Sequence, residues 1–172
     1  MGSSDQGVER SRGRYLAIPR VLCFITRGDE VLLLRGGPHK RLWAGRYNGI
    51  GGHLEPGEDI YTALLREIWE ETGLIVHDVR LRCVVHVDVG DPLQGVIFFV
   101  FTAVTGAKTT HPSPDGELEW FPISALPDSE MVEDLPELLP KILAMAPDAP
   151  PFYALYTYDA FDRLAMKFSE PE

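Results

Sequence analysis

Three glutamates within five residues, Glu67, Glu70 and Glu71, constrain this chain more than any other feature of it. At about 100° per residue, Glu70 and Glu71 fall roughly 60° and 40° to either side of Glu67 on a helix. All three carboxylates then share one face within a single turn. Tyr61, Leu64, Leu65, Ile68 and Trp69 occupy the opposite arc, which is the face expected to pack on a sheet. Each like-charge pair at this spacing costs an isolated helix roughly 0.2–0.5 kcal/mol, so the cluster is a local conflict unless a cation sits in it. Hard divalent ions such as Mg²⁺ take oxygen ligands of this kind and leave positions for phosphate oxygens. The alternative, a solvated acidic face, is disfavoured by the neighbours. Gly49, Gly51 and Gly52 would let backbone approach an ion or its phosphates, and Arg66 can hold a carboxylate bidentately, with Glu58 at the helix start as its candidate. Gly73 supplies the left-handed stop just past the cluster.

Around this helix, expected over 59–72, the chain reads mainly as strands. Residues 16–26 and 31–35 form a hairpin about a turn at 27–30, followed by a Gly- and Arg-containing loop over 36–47. Residues 48–54 make a short glycine-broken strand. Strands are predicted over 76–89, 96–104 and 118–121, then a helix over 136–146 starting on its proline. A last hairpin pairs 152–158 with 164–168. The order predicts an α/β architecture, a mixed sheet sandwiched between helices. Residues 1–14 read as a flexible tail and 15–172 as one domain, the default for 172 residues.

Composition narrows the partners. A formal net charge of −10 speaks against nucleic acid or a membrane surface as a partner, because both need a basic patch. It leaves room for a small-molecule polyphosphate, provided divalent cations lie between the two negative partners. No apolar run approaches the roughly 20 residues a membrane helix needs, and the start lacks a signal-peptide core. A cytoplasmic protein, monomer or homodimer, is expected. Cys23 and Cys83 each lie in apolar stretches and read as small buried side chains.

Gly52-x5-Glu58-x7-Arg66-Glu67-Ile68-x-Glu70-Glu71-x-Gly73-Leu74 resembles the Nudix box, with every fixed position filled. The resemblance implies the Nudix fold and Mg²⁺-dependent hydrolysis (Mn²⁺ as an alternative) of a nucleoside diphosphate linked to another group. It implies that Glu67, Glu70, Glu71 and the Gly52 carbonyl bind the metal, while Glu58 and Arg66 build the loop–helix geometry. Glu70 or Glu71 is expected also to contact the attacking water, whose proton a carboxylate accepts. A further acid is expected from the loop before the Trp120 strand, with Glu117 preferred over Asp115 and Glu119.

Beyond the box the chain is similar to the MutT, or oxidised-purine nucleoside triphosphatase, group. Residues 44–52 look like that group's substrate-facing segment, where Asn48 matches a base-reading amide. The stretch at 129–134 departs from it: Val132 stands where a stacking Trp would be, and Asp134 alone is a plausible base-reading acid. Trp43, Tyr47 or Phe152 are candidate substitutes for the missing ring, although packing accounts for each. Arg35 and Arg46 are expected to meet phosphates, with His39 and Lys40 as lesser candidates, and His86 and Asp88 alternate on a strand face that could line the pocket. The leading expectation is release of a nucleoside monophosphate and pyrophosphate from a (deoxy)nucleoside triphosphate. ADP-ribose or a nucleotide sugar is the rival substrate, and a non-catalytic nucleotide-sensing module the rival class.

Overall fold

A computed structural model describes residues 13–40 and 42–169; most of the tail expected at 1–14 lies outside them. Eight strands and two helices follow the predicted order. They are β1 (Leu16–Arg27), β2 (Glu30–Gly36), β3 (Tyr47–Asn48), α1 (Ile60–Thr72), β4 (His77–Val87), β5 (Gln94–Val104), β6 (Gly116–Pro122), α2 (Leu135–Leu143), β7 (Phe152–Tyr158) and β8 (Leu164–Ser169). They form one mixed sheet in the order β3-β2-β1-β5-β4-β7-β8, with β6 on the other edge of β2. The β1–β5 and β4–β7 pairs are parallel and the rest antiparallel.

Strand alternation sends successive side chains to opposite faces. Val21, Cys23 and Ile25 of β1 join Leu32, Leu34 and the α1 residues Ala63, Leu64 and Ile68 on one side. Leu22 and Phe24 join Val31, Leu33 and the α2 residues Leu135, Leu138, Leu139 and Ile142 on the other. The helices therefore cover opposite faces, as an α/β/α sandwich requires. Both cysteines are buried and unpaired. Among the described residues no helix is long and apolar enough to cross a membrane.

Three expectations need correction. The glycine-broken segment is ladder-forming only at Tyr47–Asn48, and its remainder touches β1 through single bridges, Ile50 with Cys23 and His53 with Arg20. The apolar arc of α1 is also not wholly buried. Leu64 and Ile68 face the sheet, but Tyr61, Leu65 and Trp69 are 51%, 37% and 58% exposed. The helix is rolled so that Glu71 and Thr72 turn inward with Ala63, Leu64 and Ile68, leaving one apolar flank in solvent. The second helix ends at Leu143, three residues short of expectation. Met145 N–H there bonds the Ile142 carbonyl in a tightened turn, and Arg82 captures the Ala146 carbonyl at 2.8 Å.

Candidate active site

The box helix starts on Asp59, whose Oδ1 accepts from the Tyr61 and Thr62 amides, a cap worth about 1 kcal/mol. It ends at Gly73, which has φ 67° and donates its N–H to the Trp69 carbonyl. Arg66 ties the preceding loop to this helix. Its Nε and Nη2 donate to the two Glu58 oxygens at 2.7 and 3.0 Å, the bidentate pairing expected from the sequence. Nη2 also donates to the His53 carbonyl, and Nη1 to Glu67 at 2.9 Å and Glu70 at 3.2 Å. The Arg66 hydrogen bonds hold the Glu58 carboxyl below the usual range.

Residues 49–53 run between β1 and this helix. The Cys23 and Ile50 backbones exchange both hydrogen bonds, and Val21 N–H donates to the Gly52 carbonyl at 2.9 Å. At Gly51 a Cβ would collide with the Val21 carbonyl, and its φ of +157° also favours glycine. At Gly52 a Cβ would collide with the Glu67 carboxylate. The Gly52 carbonyl, expected to bind the metal, accepts this one hydrogen bond and keeps a second lone pair, and the missing side chain leaves room for Glu67.

Glu71 is only 3% exposed and accepts from the Gly51 amide at 3.1 Å. Burial first, and then the neighbouring Asp115 carboxyl, push its pKa up to about 8. Burial works to raise Asp115 as well, but Lys40, which bonds it, and Glu71 outweigh that and hold it low. Burial also raises Glu67, partly offset by Arg66. Glu70 lies more exposed, its side chain turned to Arg66. Among the described residues no three His, Cys, Asp or Glu side chains converge on one point as a ready cation site, and Arg66 engages both Glu67 and Glu70. The donor set nevertheless suits a hard divalent ion: it is all oxygen, and burial leaves Glu71 short of positive charge.

Glu67, Glu71 and Asp115 line a cleft of about 640 Å³ together with Lys40, Arg46, Asn48, Gly51 and Gly52. A second cavity of about 330 Å³ adjoins it on the α2 side of the sheet, walled by Leu22, Val85, Val87, Phe98, Leu138 and Tyr156. Asn48 lines both. Its Oδ1 accepts from the Gly49 amide at 2.8 Å, which leaves its NH₂ free of that bond. Asp134, half-buried beside α2, lines the inner cavity with its carboxyl pushed up by burial. The buried Tyr156 hydroxyl lies close to Asp134 without a formed hydrogen bond.

Of the remaining polar candidates, Asp115, Lys40 and Arg46 line the cleft and the others fall elsewhere. Glu117 stands opposite Arg35 in the β2–β6 ladder and lines a separate open depression with Arg35 and His39. Leu118 and Trp120 pack on the α1 side, so alternation turns Glu117 and Glu119 away from it; Glu119 accepts from the Tyr47 hydroxyl at 2.6 Å. Asp115, immediately before that strand, is the loop acid in the cleft. This signal was present in the apolar alternation of 118–121. Arg35 donates to the Gly45 carbonyl and pairs with Glu130, outside the cleft, whereas Arg46 lines the cleft while donating to the Ser129 carbonyl. His86 bonds the Tyr15 hydroxyl, and neither it nor Asp88 lines either compartment. Lys40 gave little sequence signal, because its value depends on Asp115, 75 residues away.

These positions separate two substitutions. D115N is expected to lower turnover by about 10²-fold or more, and E117Q to leave it within about two-fold. Steady-state hydrolysis rates of the two variants decide the matter, and the reverse ranking would return the role to Glu117.

Known proteins bear on this geometry. The chain is 33% identical to the NAD-capped RNA hydrolase NudC of Chromobacterium violaceum over 116 residues, 66% of this chain and 41% of that protein. NudC of Stutzerimonas stutzeri is 32% identical over 112 residues. The chain thus spans about 40% of the length of these relatives. In structure it is similar to the MutT protein from Bacillus halodurans, with TM-score 0.73, 24% identity and coverage of 90% of this chain and 99% of that one. It is also similar to the NUDIX domain of Shewanella oneidensis NrtR complexed with ADP ribose, with TM-score 0.65, 16% identity and coverage of 82% and 96%. Both structural likenesses speak for the fold. A family model of the NUDIX domain matches residues 17–142, well over half the chain and all of the cleft-lining elements described above, and the chain therefore belongs to the Nudix family.

Proposed function

We propose that this Nudix pyrophosphohydrolase acts on a purine nucleoside triphosphate, releasing the monophosphate and pyrophosphate. The observation that carries this reading is the contiguity of two unlike compartments. One is a polar cleft bearing Glu67, Glu71, Asp115, Lys40 and Arg46; the other is a largely apolar cavity whose polar lining is Asn48 and Asp134 with Arg20 and Glu133. A polyphosphate suits the first, and a flat base with a hydrogen-bonding edge suits the second.

Nudix hydrolases generally use divalent metal ions, and Glu67, Glu70 and Glu71 would hold one here, supplying charge neutralisation at the phosphates and an activated water. Lys40 and Arg46 add positive charge along the cleft wall. Asp115 lines the cleft with Glu67 and Glu71, and that position, not its lowered pKa, supports it as the acceptor of a proton from the attacking water. Arg66 holds the loop and helix in register, and the Gly51 amide orients the Glu71 carboxylate. Asn48 and Asp134 offer an amide and a carboxyl to the edge of a base.

The likeness to NudC favours a second reading, hydrolysis of a dinucleotide such as NAD or of an NAD cap. A panel of nucleoside triphosphates, oxidised purine triphosphates, ADP-ribose, dinucleoside polyphosphates, NADH and NAD-capped RNA, with Mg²⁺ or Mn²⁺, tests both. The expected result is monophosphate and pyrophosphate from a purine triphosphate at the highest kcat/KM. A higher kcat/KM on NADH or the capped RNA would establish the second reading instead, and no hydrolysis of any member would favour a sensing module.

A further inference from the structure

The base cavity carries no stacking ring at Val132, which is buried in its wall. Of the three aromatic residues that the sequence offers instead, two are committed elsewhere. Tyr47 is buried edge-on against Phe121, with its hydroxyl on Glu119. Phe152 is buried against Phe168 under Lys141. Of the rings that line the apolar cavity, Tyr156 is buried, Tyr158 reaches that cavity alone, and Phe98, which lines both compartments, lies under the Arg20 guanidinium; Trp43 lines both and is 42% exposed.

Its backbone is unusual. Trp43 has φ 58°, the left-handed region that a bulky aromatic residue adopts only at a cost in backbone strain. The loop around it is anchored on both sides. Gly36 N–H donates to the Arg46 carbonyl, Gly45 N–H to the Gly36 carbonyl, Lys40 N–H to the Gly37 carbonyl and Arg46 N–H to the Trp43 carbonyl. Lys40 is further tied to Asp115, and Arg35 to the Gly45 carbonyl. The loop is thus held at its feet while the indole stays at the mouth between the compartments. A strained conformation persists where the surroundings over-determine it, and such positions cluster at ligand clamps.

We infer that Trp43 is the stacking residue for the nucleotide base, a specificity determinant that stands in for the absent ring at 132. This rests on the proposed nucleotide reading and adds to it the group that grips the base. Stacking on an aromatic side chain tolerates any base, because every base has a π-face. Trp43 would therefore fix affinity for a base, and Asn48 and Asp134 its identity.

The test uses W43A and W43F in the full chain, with two readouts. The first is steady-state hydrolysis of the best purine triphosphate, with tripolyphosphate as a base-free competitor. The second is intrinsic tryptophan fluorescence during titration with the corresponding nucleoside monophosphate. W43A should raise KM by on the order of ten-fold with kcat within about two-fold, and leave the inhibition constant of tripolyphosphate unchanged. W43F should recover most of the KM. The wild type should show quenching on titration, which W43F, retaining Trp69 and Trp120, should lose. Equal KM values in W43A and wild type would overturn the stacking role while leaving the nucleotide reading in place. So would a parallel weakening of tripolyphosphate, which would mark a structural role. If the wild type neither binds nor cleaves a purine nucleotide, both readings fall.

Discussion

E71Q is expected to lower divalent-metal-dependent hydrolysis by on the order of 10³-fold while leaving the protein folded and, without metal, more stable than wild type. The substitution removes the charge of a proposed metal ligand at nearly constant volume, and charge stabilisation of this kind supplies several kcal/mol, each 1.36 kcal/mol being ten-fold in rate. The stability half follows from burial. Glu71 is almost wholly enclosed, and its carboxyl is pushed up to about 8, first by burial and then by Asp115. A group whose folded pKa is raised contributes its stability fully below the unfolded value, about 4.5, and loses it as pH rises through about 8. The unfolding free energy of the wild type relative to E71Q should therefore fall across pH 5–8 in chelator and level off above. Taking the difference between the two proteins cancels the other titrating groups, among them His53, which burial and Arg20 shift in the opposite sense. Added Mg²⁺ should raise the wild-type Tm and leave that of E71Q nearly unchanged. E70Q should lose less activity, because Glu70 lies at the exposed edge and is turned to Arg66. Wild-type turnover in E71Q would remove Glu71 from the metal site, and a pH-independent stability difference would overturn the raised pKa.

The same residue explains why α1 was only half legible in the sequence. Its C-terminal boundary, left-handed stop and Arg66–Glu58 pair follow from local rules and stand where those rules put them, while Asp59, expected as the first helical residue, is the N-cap. Its orientation does not follow. Amphipathicity alone would centre the buried face on Tyr61, Leu64, Leu65, Ile68 and Trp69. The helix is instead rolled toward the glycine turn, so that Glu67 fits beside Gly52 and Glu71 meets the Gly51 amide, and Tyr61, Leu65 and Trp69 are left at the surface. A hydrophobic arc records what can be buried, whereas the site decides what must be.

Longer-range placement was harder still. Glu117 and Asp115 are two residues apart and chemically similar, and only the facing of Leu118 and Trp120 toward α1 separates them. That facing could have been taken from the alternation; the partnership of Asp115 with Lys40 could not, since it joins two loops through the fold. Arg35 and Arg46 looked equivalent as phosphate contacts, yet Arg35 lies over the Tyr47 ring outside the cleft while Arg46 lines it. The two-compartment site likewise depends on residues 47–53 running between β1 and β2, where Asn48 reaches both cavities. The short ladder pairing there gave a poor strand signal for the same reason that it makes a site: its glycines serve close approach.

Removing Arg66 should be the largest single blow to the folded state among the box positions. Its guanidinium makes hydrogen bonds to three carboxylates, Glu58, Glu67 and Glu70, and to the His53 carbonyl. R66A leaves those carboxylates facing one another, two of them in little-exposed positions. Breaking a buried pair by deleting one partner costs about 3–5 kcal/mol, and because Arg66 keeps some solvent contact the expected loss is about 2–3 kcal/mol. For a domain of this size that corresponds to a Tm lower by about 5–10 °C. Hydrolysis by the remaining folded protein should fall about 10–100-fold, because Glu67 and Glu70 lose the group that orients them. R66K restores a charge without the fork that grips both Glu58 oxygens, so it should recover less than half of the lost stability. Thermal unfolding and kcat/KM for the two variants give the answer. R66A melting within 1 °C of wild type (on the order of 0.5 kcal/mol or less) would mean the network contributes geometry alone, and R66K matching wild type in both measurements would mean that charge suffices where the structure shows a bidentate grip.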